Sequence, residues 1–296
     1  MEQTIRDWEM KLRLSAYSEC TVSNYVYPLK RLAKAHPGKT AGEFTHRDLE
    51  QYLSDHRKGE TAWSDSTYKM AVIAFRGFFE WLSGEQSPAR SLVVPRKVKP
   101  KRRRRALSAA KSREVLTTID TSTAEGVRSV ALISLMLDTG LRAAEVLRVR
   151  VDEMDWPVRQ LEVQVKGGRR RKAKYSVETA EVVRWWLSLR GALARPGVQT
   201  LFVSLGGTRP GTQMTRRGLG SLFTRIAKSV GLDEFSPHDL RRSFAHQALR
   251  AGGPTRVVQV GGGWENLRQL ERVYSADISI DDMEPYLPAG LALRGD

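Results

Sequence analysis

Apolar residues in the first 95 positions recur every three or four residues, which is the spacing of amphipathic helices. Thr45-His46-Arg47-Asp48 has the form of a capping box that starts a helix, and Ser83-Gly84 has the form of a helix end. We therefore predict an all-α domain of four helices over residues 1–95. Its apolar positions are Ile5, Trp8 and Leu12; Val22, Tyr25, Val26, Leu29 and Leu32; Leu49, Tyr52 and Leu53; Met70, Ile73, Phe78, Trp81 and Leu82.

The pattern changes after residue 106. The apolar run from Val127 to Leu137 predicts a helix that ends at Gly140, with a second short helix directly after it. Leu161–Val165 alternates like a strand, Gly167-Gly168 predicts a turn, and Ala173–Val177 predicts the return strand of a β-hairpin. The fold class is therefore mainly α with a small β-hairpin or sheet. Further elements are predicted as helices near 178–193, 213–230, 238–251 and 266–273 and a short strand at 201–203.

The net charge of the chain indicates what kind of molecule it binds. The 296 residues include 49 Lys and Arg against 33 Asp and Glu, a net charge of +16, which favours a polyanion such as nucleic acid. No apolar run is long enough to span a membrane, and the N-terminus lacks a secretory signal pattern, so we expect a cytoplasmic protein without a membrane partner. The single cysteine, Cys20, excludes an intramolecular disulfide and a zinc site built from cysteines.

Half of the net charge lies in residues 96–105, which contain eight basic residues and no acidic one. Such a segment repels itself and cannot bury a core, so it predicts an extended linker between a domain at 1–95 and one at 106–296. A solvated hinge is one interpretation, and a segment that follows a phosphate backbone is the better one. Its basic residues are Arg96, Lys97, Lys99, Lys101, Arg102, Arg103, Arg104 and Arg105.

His238 and Arg241 lie three positions apart at a predicted helix start, where Pro237 suits the first turn and Ser236 can cap it. The spacing places the imidazole and the guanidinium on one helix face, where together they can hold a phosphate. This segment resembles the His-x-x-Arg box of the tyrosine recombinase, or phage integrase, family. Thr139–Glu145 resembles the first box of that family, and Val165–Gly168 resembles its catalytic-lysine turn.

Two further segments extend the resemblance, since Gly263-Trp264 and Arg272-Val273-Tyr274 follow in the family order. It implies an N-terminal core-binding, SAM-like domain and an α+β catalytic domain. It also implies that Glu145 buttresses an arginine, and that relatives dock a C-terminal tail on a neighbouring subunit. For residues 278–296, packing on their own domain is an equal alternative.

Cutting a phosphodiester without a metal needs positive donors, an in-line nucleophile and an acid for the leaving oxygen. Arg142 and Arg241 suit the first task because a guanidinium binds phosphate oxygens in a fork. We expect Tyr274 to be the nucleophile and Lys166 to protonate the 5′ oxygen. His238 takes the tyrosine proton or holds the phosphate, and Trp264 donates its indole N–H to a phosphate oxygen.

Rival assignments exist for several of these residues. Arg242 competes with Arg241, and Tyr286 competes with Tyr274. Lys166 is alternatively a solvated turn lysine, and Trp264, which stands where most relatives carry histidine, is alternatively a core residue. The glycine run 261–263 departs from the family pattern and suggests a loose turn. Additional contacts with the DNA backbone are expected from Lys69, Arg76, Arg169, Arg170 and Arg171.

The resemblance implies four protomers acting on two duplexes through a Holliday junction, with strand exchange at attachment or crossover sites. We expect integration or excision of a phage or mobile element, with a Xer-like chromosome-dimer resolvase as the alternative. The first predicted helix begins too near residue 1 to leave room for a separate arm-binding domain. A type IB-like topoisomerase and a catalytically silent DNA-binding protein are two further candidate functions. No metal or cofactor is expected. An accessory DNA-bending or directionality protein is a candidate partner, and the protein is expected to act at the nucleoid.

Overall fold

The computed structural model describes residues 1–57, 62–94, 106–164 and 169–274, and for residues 272–274 the backbone alone. The chain divides into two compact units, Met1–Arg102 and Arg103–Asp296. The predicted basic segment at 96–105, the lysine turn at 165–168 and the tail from residue 275 lie outside the described residues. In the described part of the chain, no helix combines the length and hydropathy needed to cross a bilayer.

The first unit is helical, as predicted. Its α-helices are α1 (Glu2–Leu14), α2 (Glu19–Ala35), α3 (His46–Asp55) and α4 (Asp65–Ser83). Their apolar faces meet in one core, in which Phe75, Phe78 and Phe79 of α4 are fully buried. Trp8 of α1 packs edge-on against Phe78, with the ring centroids 5.5 Å apart. The burial of these aromatic rings contributes hydrophobic stabilisation to this core.

The ends of these helices follow local sequence signals. Thr45 and Asp48 form the predicted capping box, in which the Asp48 carboxylate accepts a hydrogen bond from the Thr45 backbone N–H at 2.7 Å. Lys39 also donates to that carboxylate, and its bond is the largest cause that lowers the pKa of Asp48 below its usual range. Gly84 ends α4 with a φ of 56°, a conformation that glycine adopts without strain.

The second unit combines helices with a small sheet. Its helices are α5 (Ala109–Thr118), α6 (Ala124–Thr139), α7 (Ala143–Val146), α8 (Val177–Leu193), α9 (Arg216–Ser229), α10 (Pro237–Arg250), α11 (Thr255–Gly262) and α12 (Leu267–Tyr274). Its strands are β1 (Met154–Asp155), β2 (Gln160–Gln164) and β3 (Arg170–Lys174). Within the described residues these strands form an antiparallel sheet in the order β1-β2-β3.

The sheet differs from the sequence prediction in two ways. The return strand begins at Arg170 rather than Ala173, and Val177 begins α8 instead of ending the strand. The register pairs Val163 with Arg171 and Leu161 with Ala173, so the inward face of β3 includes position 171. The start of β3 could not be predicted from the sequence, because its run of basic residues lacks the apolar alternation that is typical of a strand.

The predicted loose turn at the glycine run is also wrong in part. Residues 255–262 form α11, and only Gly263, which is left-handed with a φ of 68°, ends the helix. Around it, α10 packs against α6, α11 and α12. The Leu107 backbone N–H donates to Ser243 Oγ at 2.8 Å, which fixes the start of the unit on α10. Helix α10 therefore lies between α6, α11 and α12.

Candidate active site

The site is built around the C-terminal end of α6. Helix α6 stops at Gly140, whose φ of 60° is left-handed, and the chain turns there into the short helix α7. A Cβ atom at Gly140 would lie 2.7 Å from Phe244 Cδ1, so a larger residue would displace the Phe244 ring of α10. The glycine therefore allows the close approach of α10 to the first residues of α7, where Arg142 and Glu145 lie.

Arg142 and Glu145 form an ion pair at the start of α7. Glu145 accepts hydrogen bonds from Arg142 Nη1 at 2.8 Å and from the Arg142 backbone N–H at 2.9 Å. The Glu145 side chain is 7% exposed, whereas that of Arg142 is 44% exposed. The buried carboxylate thus holds the base of an arginine whose guanidinium is open to solvent. That Glu145 buttresses a catalytic arginine stays a prediction, and the structure places the two residues in contact.

Arg241 lies one turn into α10 and is 4% exposed. Its Nη1 donates to the backbone carbonyl oxygens of Gly140 and Gly262, and its Nη2 lies 3.5 Å from the carbonyl oxygen of Gly263. The guanidinium carbon also lies 4.0 Å from the centre of the Trp264 ring, which is a cation–π contact. Arg241 therefore ties the end of α6 to the turn after α11. The rival Arg242 is only half-buried.

Trp264 follows the turn and is buried. Its ring stacks on Phe244 with an interplanar angle of 12° and packs with Ala245, Val258 and Leu270. A Cβ atom at Gly262 would lie 1.8 Å from Trp264 Cζ3, so the absence of a side chain at 262 is what lets the indole fit. Gly262 is therefore coupled to the unusual tryptophan.

Arg171 of β3 belongs to the same cluster. Its Nη1 donates to the Gly261 carbonyl oxygen at 2.6 Å, and its Nη2 lies 3.4 Å from the Thr139 carbonyl oxygen. Nη2 is also 3.8 Å from Glu145 Oε2, and the Arg171 side chain is only 12% exposed. The structure thus separates Arg171 from Arg169 and Arg170, which are exposed. Arg170 forms ion pairs with Glu153 and Glu162, each at 3.1 Å.

The cluster carries excess positive charge. Burial first, and then the positive charge of Arg142, lower the pKa of Arg241 to about 9, although the Glu145 carboxylate opposes both effects. Burial likewise lowers the pKa of Arg171, and Glu145 opposes it. Arg241 keeps its charge at neutral pH because that pH lies below its pKa. A phosphate placed against these guanidiniums would add the negative charge that the cluster lacks.

Helix α12 completes the described site. Leu270 is fully buried in the cluster with Trp264, which docks α12 against α10 and α11. The helix ends at Tyr274, so the backbone of the predicted nucleophile follows directly from the packed cluster. His238 lies exposed in the first turn of α10, one turn before Arg241. Lys166 lies outside the described residues, between β2 and β3.

Comparison with known proteins identifies this arrangement. A family model for the phage integrase family matches residues 105–278, and one for the phage integrase N-terminal SAM-like domain matches residues 5–89. The chain belongs to the phage integrase family. The resemblance inferred from the sequence motifs is therefore confirmed, and so is the two-part fold of a SAM-like domain with a tyrosine-recombinase catalytic domain.

Curated relatives of this integrase-family chain are Xer recombinases. It is 33% identical to tyrosine recombinase XerC of Vibrio parahaemolyticus over 215 residues, which are 71% of this chain and 66% of that protein. It is 27% identical to tyrosine recombinase XerC of Chromobacterium violaceum over 284 residues, or 93% of this chain and 90% of that one. The match to the first of these relatives thus spans slightly less than two thirds of its length.

Solved structures with the same fold include recombinases bound to DNA. The Tn1549 transposon integrase in complex with transposon right end DNA superposes with a TM-score of 0.71 at 17% identity, covering 95% of this chain and 98% of that one. XerH bound to a palindromic difH substrate superposes with a TM-score of 0.67 at 20% identity, covering 90% and 78%. At these identities the likeness concerns the fold of the integrase family.

The integrase-family chain places its predicted site residues unevenly. Arg142, Glu145, Arg241 and Trp264 lie together in one cluster. In the first unit, Lys69 is exposed, whereas Arg76 is half-buried and donates to the Arg90 carbonyl oxygen at 3.3 Å. Among the described residues, no group of three or more His, Cys, Asp or Glu side chains is placed to hold a metal ion.

Two contributors to this integrase-family site were missed from the sequence. Arg171 was grouped with its basic neighbours, although the two-residue alternation of a strand places it on the face of the buried Ala173. Phe244 was not assigned to the site from the sequence, yet its ring lies against Gly140 and stacks on Trp264. The helical spacing from Arg241 to Phe244 was the available signal, because residues three apart share a helix face.

Proposed function

We propose that this chain is a site-specific tyrosine recombinase that cuts and rejoins duplex DNA to integrate or excise a phage or other mobile element. The observation that carries the proposal is the arginine cluster of Arg142 and Arg241, supported by Glu145 and packed against the helix that ends at Tyr274. Guanidinium groups suit the charge that develops on a phosphodiester under attack.

In the proposed reaction, the Tyr274 hydroxyl attacks the scissile phosphorus and passes its proton to His238. The bond to the 5′ oxygen breaks, and Lys166 supplies the proton that leaves with this oxygen as a free 5′ hydroxyl. Arg142 and Arg241 stabilise the non-bridging oxygens, and Trp264 supports Arg241. The product is a 3′-phosphotyrosine, which a 5′ hydroxyl of the partner duplex attacks in the reverse sense. The phosphoester energy is conserved, so the proposal needs neither a metal nor ATP.

The proposal assigns roles to the rest of the chain. The domain at 1–95 binds the core DNA site, and the basic segment 96–105 joins it to the catalytic domain and contacts the phosphate backbone. Lys69, Arg76, Arg169 and Arg170 are proposed backbone contacts, of which Arg76 is the least accessible. Four protomers would exchange strands between two duplexes through a Holliday junction. The reaction would take place at the nucleoid in the cytoplasm. An accessory DNA-bending or directionality protein would assist where the DNA site requires one.

The names of the curated relatives favour a second candidate of the same class. Both relatives described above are called XerC, so a Xer-like role in resolving chromosome dimers is the alternative. The two roles use the same chemistry and differ in their DNA sites. A site beside a tRNA gene that is also present on a mobile element would indicate an integrase, whereas a site at the chromosome terminus would indicate a Xer-like resolvase.

The chemistry is tested by trapping the covalent intermediate. The full chain is incubated in EDTA with a library of nicked duplexes whose central region is randomised, so that the short cleaved strand diffuses away and cannot be rejoined. We expect an adduct that survives SDS, with DNA linked to the peptide that contains Tyr274. Sequencing the trapped DNA then yields the preferred site, and exchange between two such duplexes separates recombination from topoisomerase-like relaxation.

Matched tyrosine variants decide the assignment. Tyr274→Phe removes the nucleophilic oxygen and should abolish the adduct, whereas Tyr286→Phe, at the rival tyrosine, should keep it. An adduct of undiminished yield in Tyr274→Phe would overturn the assigned nucleophile. No adduct with the unaltered chain on any duplex, despite tight DNA binding, would instead favour a catalytically silent DNA-binding protein.

A further inference from the structure

Arg171 connects parts of the site that no other described side chain joins. Through one guanidinium it reaches the end of α6 at Thr139, the carboxylate of Glu145 and the last turn of α11 at Gly261. The residue itself belongs to β3, the strand that follows the segment with Lys166. Four separate elements therefore meet at one buried cation.

The turn after α11 is packed closely against the Arg171 side chain. A Cβ atom at Gly263 would lie 2.4 Å from Arg171 Nε and 2.7 Å from its Cδ, so the turn after α11 has space for the arginine only because residue 263 is glycine. The left-handed φ of 68° at Gly263 also favours glycine. The Arg171 side chain and the Gly263 backbone are thus fitted to each other, which a solvated basic residue would not require.

We propose that Arg171 is a positioning residue of the strand-transfer site. Its guanidinium holds Glu145 near Oε2, whereas the Arg142 guanidinium bonds Oε1. Arg171 also fixes the Gly261–Gly263 turn, whose carbonyl oxygens hold Arg241. Arg171 would thereby set the distance between the two phosphate-binding arginines, although it does not contact the phosphate. This proposal rests on the proposed function, because it concerns the same reaction.

Electrostatics gives a reason for a cation here. Arg142 and Arg171 share the Glu145 carboxylate, so neither guanidinium is fully neutralised by it. The carboxylate orients Arg142 without cancelling the positive charge that the phosphate meets. With a neutral residue at position 171, the Glu145 carboxylate would pair with Arg142 and no longer with a second arginine. The net positive charge of the cluster would then be lower. We therefore expect substitution of Arg171 to weaken catalysis more than DNA binding.

The test uses the full chain and the duplex enriched in the trapping experiment. Arg171→Met removes the charge and the donors but keeps much of the side-chain volume, and Lys172→Met removes one charge from the exposed face of the same strand. At saturating DNA, we expect Arg171→Met to lower the single-turnover cleavage rate about 100-fold, the size of effect that a misplacement near 1 Å produces. Its dissociation constant for DNA should stay within about threefold, and Lys172→Met should cleave like the unaltered chain.

Two further measurements separate positioning from general loss of structure. On a duplex whose scissile phosphate is a neutral methylphosphonate, the defect of Arg171→Met should shrink, because correctly placed positive charge matters less there. Arg171→Lys, which keeps the charge but has a single donor nitrogen, should recover part of the rate. If Arg171→Met does not fold, the cleavage rate of Arg171→Lys alone tests the proposal. A rate for Arg171→Lys equal to that of the unaltered chain would then overturn it.

The remaining outcomes are distinct. Equal rates for Arg171→Met and the unaltered chain would overturn the positioning role while leaving the proposed function intact. A large rate defect that is the same on phosphodiester and methylphosphonate would also overturn it. Absence of any adduct from the unaltered chain would instead remove the proposed function, on which this inference depends.

Discussion

At the scale of single residues, the site combines groups of unequal exposure. Arg142 is open to solvent, whereas Arg241 is buried, bonded to backbone carbonyl oxygens and stacked on Trp264. A cation over an indole ring is stabilised by about 0.5 to 2 kcal/mol, more where both are desolvated. The buried arginine is therefore held in place before DNA arrives, and Trp264 contributes its ring face as well as any hydrogen bond.

The two roles of Trp264 can be separated by substitution. Trp264→Phe keeps an aromatic ring beneath Arg241 but removes the N–H, and we expect it to cleave within about tenfold of the unaltered chain because the stacking persists. Trp264→Ala removes the ring and should lower the cleavage rate about 100-fold. It should also destabilise the protein by about 3 to 5 kcal/mol in chemical denaturation, as expected for a buried tryptophan.

A control for the Trp264 variants is a second tryptophan in the same unit. Trp185 is 45% exposed on α8, so Trp185→Ala should change neither cleavage nor stability by a comparable amount. If Trp264→Phe is as defective as Trp264→Ala, then the indole N–H, donated to a phosphate oxygen as the sequence suggested, is the contribution that matters.

At the scale of helices and strands, local signals were predictable and long-range packing was not. Thr45, Gly84 and Gly140 mark helix ends through bonds or backbone angles within four residues, so the sequence alone predicted those boundaries. By contrast, Gly261–Gly263 indicated a turn because helices avoid glycine, and α11 was missed. Gly262 is explained by the Trp264 ring, and Gly263 is explained by Arg171, which lies 92 residues before it. No sequence window of helical length contains that information.

The three glycines therefore differ in what they tolerate. Gly261→Ala should be neutral or stabilising by up to about 1 kcal/mol, because residue 261 is helical and its new Cβ would lie 3.9 Å from Phe244 Cζ. Gly262→Ala should displace the Trp264 ring, and Gly263→Ala should both strain the left-handed backbone and push against Arg171. We expect the last two to lower the melting temperature and the cleavage rate.

Thermal unfolding and single-turnover cleavage of these alanine variants, measured side by side, provide the check. The first variant serves as the matched control for the other two, since all three substitutions are chemically identical. Equal tolerance at all three positions would contradict the packing described for Trp264 and Arg171.

At the scale of the whole molecule, the charge is concentrated rather than spread. Residues 1–95 carry 13 basic and 12 acidic residues, residues 96–105 carry eight basic residues alone, and residues 106–296 carry 28 basic and 21 acidic residues. Each phosphate neutralised by a lysine or arginine releases counterions, so binding weakens as salt rises. If the segment 96–105 contacts the backbone, it should account for a large share of that salt dependence despite its shortness.

This share can be measured with two variants of equal charge change. One replaces Arg103, Arg104 and Arg105 with glutamine, and the other replaces Arg6, Lys30 and Lys34, which are exposed in the first unit. Affinity for a duplex of arbitrary sequence is measured over a range of KCl concentrations. Loss of three phosphate contacts should reduce the slope of log affinity against log salt by about 2.7, since each contact contributes about 0.9. The second variant should change the slope much less, because global charge alone does not release bound counterions. Equal changes in both variants would mean that the basic segment has no privileged contact with DNA.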